Sequence, residues 1–151
     1  MTGRLIAPLS PAERGAFVDA ARARVGASFR HRGRGSALDC IGLLVAALRA
    51  VGRDPEDRRS YGRAPDRDRL QEAVRAHFGP PVAAGRDAAT AAEPGDVVLM
   101  RWSDRPQHVA IIATRASGGL SVIHADSGFG AVVEHGLVAP WSARILEVYR
   151  P

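Results

Sequence analysis

The chain has 151 residues, 46% of them hydrophobic and 25% charged, enough for one core and too few for several, so a single domain over residues 1–151 is expected. All 21 basic residues are arginine and the formal net charge is +5; because the arginines are dispersed and only 5% of residues are aromatic, a nucleic-acid surface built on stacking platforms is disfavoured. No run approaches the roughly 20 apolar residues of a membrane span, Met1 to Leu9 lack the apolar stretch of a secretory signal, and a single cysteine cannot close an internal disulfide. A protein made in the cytoplasm without an export signal, not inserted in a membrane and carrying a free thiol, is the expectation.

In chain order, Ser10-Pro11-Ala12-Glu13 forms a capping box with proline at the first helical position, predicting a helix from Pro11 to about Arg24 that stops at Gly26. The Gly- and Arg-rich segment from Gly26 to Gly35 reads as a loop. A second helix begins at Cys40 and ends at Gly52, with Ile41, Leu44, Val45 and Leu48 at the spacing of a buried stripe. Arg53 to Pro65 reads as a charged loop, and Leu70, Ala73, Val74, His77 and Phe78 mark a third, amphipathic helix closed by Gly79-Pro80-Pro81, in which His77 is read as structural. From the turn Glu93-Pro94-Gly95-Asp96 the period becomes extended. Strands are predicted over Val97–Met100, His108–Ala113, Leu120–Ala125, Ala131–His135 and Arg144–Tyr149, in antiparallel order because their connections are short. The fold class is α+β, with N-terminal helices packed on a C-terminal antiparallel sheet.

Cys40 opens the second helix, where backbone N–H groups without an intrahelical partner favour thiolate over thiol. Gly42, one turn in, costs about 1 kcal/mol relative to alanine and implies a close approach of other atoms. Asp39 has two readings, an N-cap or a charge acting on the thiol; the cap is preferred, Ala there costing about 1 kcal/mol, and Asp39→Asn is then expected to keep most activity. His108 and His124 fall on two strands whose hairpin centre lies near residue 116, so paired residues sum to about 232 and the histidines face each other. Cys40 as nucleophile, His108 as base and His124 as the group that orients His108 make a Cys-His-His triad, with the thiol and imidazole pre-ionised. A metal site of Cys40, His108 and His124 is disfavoured, since structural zinc takes four ligands and nothing in the spacing of His31 or His135 demands their recruitment. No metal and no cofactor is expected. Trp102 and Trp141 are read as core or contact residues.

The strings Asp39-Cys40-Ile41-Gly42-Leu43, Glu93-Pro94-Gly95-Asp96-Val97, His108-Val109-Ala110-Ile111-Ile112 and Ile123-His124-Ala125 resemble, in order and spacing, the NlpC-type cell-wall cysteine peptidases, over about Pro11 to Tyr149. The resemblance extends to short peptidases encoded among tail genes of phages and gene transfer agents, where the segment before the cysteine similarly reads Phe-x-His-x-Gly-Arg, here Phe29 to Arg34. It implies a papain-like NlpC-type fold and hydrolysis of an amide bond in the peptidoglycan stem peptide, typically between D-glutamate and a diamino acid. Arg30, Arg32 and Arg34 then have substrate carboxylates as partners. Phe29 stands where the family often has a tyrosine hydroxyl near the reacting carbonyl, which leaves the backbone N–H of Cys40 as the oxyanion donor. Particle tail hub or tip proteins are the expected partners, with a virion location and action in the periplasm or cell wall. Two alternatives stay open: a non-catalytic structural tail component, and a thiol amidase or acyltransferase acting on another substrate, for which a closed apolar pocket would speak.

Overall fold

The computed structural model describes residues 4–63, 68–102 and 105–151; Met1 to Gly3 and the end of the expected charged loop, Ala64 and Pro65, lie outside them. Helix α1 (Pro11–Arg22) starts at the reciprocal capping box, Ser10 accepting from the Glu13 N–H while the Glu13 carboxylate accepts from the Ser10 N–H. It ends two residues before the expected Arg24, in a turn that leads into β1 (Ser28–Phe29). Strand β2 (Ala37–Leu38) lies parallel to β1, and helix α2 (Cys40–Ala50) follows after Asp39. Helix α3 (Arg69–Phe78) and β3 (Ala83–Ala84) complete the first half.

The second half is an antiparallel meander of β4 (Val97–Trp102), β5 (Arg105–Thr114), β6 (Leu120–Asp126) and β7 (Ala131–Gly136), closed by β8 (Ile145–Tyr149), which pairs back with β4. Among the described residues the eight strands form one sheet in the order β2-β1-β7-β6-β5-β4-β8-β3. Alternation along the strands builds two cores. Val97, Leu99, Val109, Ile111 and Ile123 meet Phe17, Leu43 and Leu48 of the helices, while Val98, Met100, Ala110, Ile112 and Val122 pack on the other face against Ile145, Ala88 and the two tryptophans.

The buried face of α2 is rotated from the expected stripe. Leu43, Val45, Ala47 and Leu48 are buried, whereas Ile41 and Leu44 are only half-buried and line a cleft of about 580 Å³ between α2, α3 and the 55–62 segment. Helix α3 is tied down by His77, whose Nδ1 lies 2.7 Å from the Ala73 carbonyl and whose Nε2 accepts from the Glu56 N–H. The turn before β4 is fixed by Asp96, wholly buried, which accepts from the Glu93 N–H and pairs with Arg14 and Arg150. No helix among the described residues is long and apolar enough to cross a membrane.

Candidate active site

Asp39 caps α2 as expected, its Oδ1 accepting from the Gly42 N–H at 2.8 Å. It does more than cap. The same carboxylate, 4% exposed, accepts from Arg34 Nη1 at 3.0 Å, from the Arg32 N–H at 2.8 Å and from the Tyr61 hydroxyl. Arg34 is equally buried, and its Nε faces both carboxylate oxygens of Asp57 at 3.0 Å while Nη2 donates to Tyr61. Arg32 adopts a left-handed backbone, φ 61°, unusual outside glycine, and this turn aims its N–H at Asp39. Gly42 has the close approach that its cost implied. A Cβ there would stand 2.0 Å from the Gly33 carbonyl oxygen, so the first turn of α2 rests directly on the loop backbone.

The structure sorts the expected substrate residues. Arg34 is filled by Asp57, Asp39 and Tyr61, and the carboxylates it grips belong to the protein, which corrects its assignment to substrate. Arg32 spends its Nε on the Tyr61 carbonyl, although its side chain is exposed. Arg30, one residue past β1, is exposed, its N–H donating to the Leu38 carbonyl. Phe29 is half-buried and packs on the helix-side core. Tyr61, from the charged loop, was not singled out from the sequence, yet it brings a hydroxyl to the residue before Cys40; burial raises its pKa above the ordinary value and keeps it a donor.

His108 lies beside a bulge, where β4 and β5 shift register between Met100 and Arg101, so that Met100 opposes His108 and Arg101 opposes Pro106. Bulges re-aim side chains at such places. The β5–β6 register pairs Ile111 with Ile123 and Thr114 with Leu120, a sum of 234 rather than the expected 232. A two-residue difference preserves the face, because side chains alternate with a period of two. His108 Nε2 and His124 Nδ1 therefore still meet, at 2.8 Å. The hydrogen-bonded chain continues to a third ring, outside the expected triad: His124 Nε2 lies 2.8 Å from His135 Nε2, and His135 Nδ1 lies 3.0 Å from the Gly136 carbonyl oxygen. Trp102 packs 4.6 Å from His108 and Trp141 packs 5.2 Å from His124, centroid to centroid, so both tryptophans wall the histidines. Arg144 lies over both indoles, 4.8 and 4.7 Å from their centroids.

Cys40 reaches the β5 backbone at Val109, the residue next to His108. The backbone N–H groups of Val109, Ile41 and Cys40 itself favour the thiolate, as the helix terminus implied. Burial outweighs them. In a setting lined by Leu43, Leu44 and Ile111, desolvation pushes the thiol up to about 12, with the Asp39 charge adding to the effect. Burial also takes His108 down to about 3, helped by His124 and Arg144, and His124 down to about 4, helped by His135. This is the opposite of the expected pre-ionised pair: burial favours the neutral thiol and the neutral imidazoles. Alkylation of Cys40 by iodoacetamide is accordingly expected to accelerate about tenfold per pH unit from pH 6 to 9, since only thiolate reacts. A rate already level at pH 5 would show an ion pair instead.

The fold is the papain-like α+β fold of NlpC/P60 proteins, as the solved structures show. The chain superposes on an NLP/P60-family protein similar to lipoprotein from Staphylococcus aureus with a TM-score of 0.61 at 16% identity, over 95% of this chain and 43% of that one. On NlpC1 from Trichomonas vaginalis the TM-score is 0.65 at 17% identity, over 91% and 44% of the two chains. On the peptidoglycan hydrolase RipB from Mycobacterium tuberculosis it is 0.54 at 15% identity, over 94% and 68%. The chain thus spans less than half the length of the first two. No family model and no curated protein matches the sequence. Among the described residues, no group of three or more His, Cys, Asp or Glu side chains is arranged to hold a metal ion.

Proposed function

We propose that the protein is a cysteine peptidase that hydrolyses an amide bond of the peptidoglycan stem peptide, with D-glutamyl-diamino acid as the favoured bond. The single observation that carries this reading is the helix-borne thiol of Cys40 beside a strand that presents His108, whose Nε2 is held by His124. Because Nε2 is engaged, Nδ1 is the nitrogen of His108 left to act as base. Cys40 Sγ attacks the scissile carbonyl carbon as its proton passes to His108 Nδ1. The oxyanion is held by the Cys40 backbone N–H, and the imidazolium returns the proton to the departing amine. Water then attacks the thioester by the same base and releases the acid. Arg30, exposed one residue past β1, is the arginine of its cluster left for a substrate carboxylate. Carriage on a phage-like tail, bound to hub or tip proteins, is part of the same reading; it is supported by the Phe29 to Arg34 string, and immunogold labelling of particles tests it.

Digestion of purified peptidoglycan followed by mass spectrometry tests the reaction. New stem-peptide termini released by the wild type and not by Cys40→Ala are expected; intact stem peptides after digestion by a folded wild type would overturn it. The second reading, a thiol acyltransferase, is favoured by the largely apolar lining of the cleft beside Ile41 and Val109. Consumption of acyl thioesters with peptidoglycan untouched would select it.

A further inference from the structure

We propose that His135 is a positioning residue that sets the direction of the hydrogen bonds through His124 to His108, and so decides which nitrogen of His108 is free to take a proton. This rests on the reading of His108 as the base. The geometry begins at β7, where Val122 opposes His135 and Val133 opposes His124, placing both rings on one face of the sheet, two residues apart along the strands. His135 is further held between Trp141 at 4.7 Å and Phe129 at 6.0 Å, centroid to centroid.

The direction follows from the last acceptor. A backbone carbonyl can only accept, so the 3.0 Å contact with the Gly136 oxygen places the proton of neutral His135 on Nδ1. Its Nε2 then carries a lone pair and accepts from His124 Nε2–H across 2.8 Å. His124 Nδ1 is left to accept from His108 Nε2–H, also across 2.8 Å, and His108 Nδ1 is the free base. One carbonyl thereby fixes three tautomers. A proton added to His135 reverses the argument: Nε2 becomes a donor, His124 must carry its proton on Nδ1, and His108 is left protonated on Nδ1, unable to accept from a thiol. The other charged or titratable groups around this end of the chain are His124 on β6, Arg144 over the Trp141 indole, Arg115 against Gly136, and Glu134 on the opposite face, where it pairs with Arg22. Burial keeps His108 and His124 themselves neutral.

The test is long-range proton–nitrogen NMR of histidine-labelled protein, which separates Nδ1–H from Nε2–H rings without any substrate. The wild type is expected to show His108 and His124 protonated on Nε2 and His135 on Nδ1. His135→Phe, which removes the acceptor and keeps an aromatic ring, is expected to lose the single tautomer at His108 and to lower kcat on peptidoglycan roughly tenfold to a hundredfold, by analogy with losing the outer partner of a metal-bound histidine, with KM little changed. His135→Gln, whose amide offers both an acceptor and a donor, is expected to restore the tautomer and most of kcat. A wild-type His108 protonated on Nδ1, or a His108 tautomer unmoved in His135→Phe, would overturn the proposal. If the tautomers are as expected but no variant or wild type cleaves peptidoglycan, the positioning chain stands and the peptidase reading fails.

Discussion

Asp39→Ala is expected to destabilise the protein by about 3 kcal/mol, a melting temperature lowered by roughly 6–12 °C for a domain of this size. A simple cap would cost about 1 kcal/mol and shift melting by only 2–4 °C. The difference lies in what the carboxylate holds. Removing it strands the buried Gly42 N–H and takes an acceptor from the part-buried Arg32 N–H and Tyr61 hydroxyl and from Arg34 Nη1, which keeps the Gly33 carbonyl; each orphaned donor costs its desolvation. Asp57 remains on Arg34, which keeps the loss at the lower end of that for breaking a buried pair. Asp39→Asn keeps one oxygen for the cap but turns an amide N–H₂ toward the Arg32 N–H. The capping role alone predicts that Asn keeps most activity; the fuller set of partners adds a loss of stability to that expectation. Thermal denaturation of both variants is the check, and a shift confined to 2–4 °C would reduce Asp39 to a cap.

Cys40→Ala and His108→Ala are each expected to remove turnover by about a million-fold, and the double variant to be no worse than either single one. On the proposed mechanism, nucleophile and base act as one unit. A buried thiol with its pKa near 12 attacks nothing at pH 7 unless a base takes its proton, and the base without the thiol has nothing to activate. Cys40→Ala removes a single sulfur atom, and His108, buried at the bulged end of β5, gives up its contacts with Trp102 and His124 rather than a place in either apolar core. Retained melting behaviour with lost turnover is the expected signature in a kinetic comparison of the three variants. Losses that multiply in the double variant would show two independent contributions instead.

What the sequence conveyed and what it did not divide along physical lines. The Ser10 capping box, the third helix and the main strands were legible because each is encoded within a few residues, by a cap, a period of 3.6 or a period of two. The meeting of His108 and His124 survived a register two residues off because alternation fixes the face and not the partner. The same count extended one strand further would have found His135, two residues from Val133, the partner of His124, on the same face. The strands Ser28–Phe29, Ala37–Leu38 and Ala83–Ala84 were not legible, since two residues carry no period. Arg34 was misassigned because its partners, Asp57 and Tyr61, lie more than 20 residues away and nothing local announces them. The ionisation of Cys40 was misjudged for a related reason: the helix terminus that favours thiolate is local, whereas the apolar surroundings that disfavour it come from β5.

On the peptidase reading, Cys40 takes up the acyl half of a cleaved stem peptide. Acid-quenched single turnover of a stem peptide, followed by mass analysis of the proteolytic fragment containing Cys40, reads that bond directly. A mass increase equal to the acyl fragment, confined to Cys40 in the wild type and absent in Cys40→Ala, is the expected result. Cleavage of the stem peptide at the wild-type rate by Cys40→Ala, with no adduct on the wild type, would contradict it.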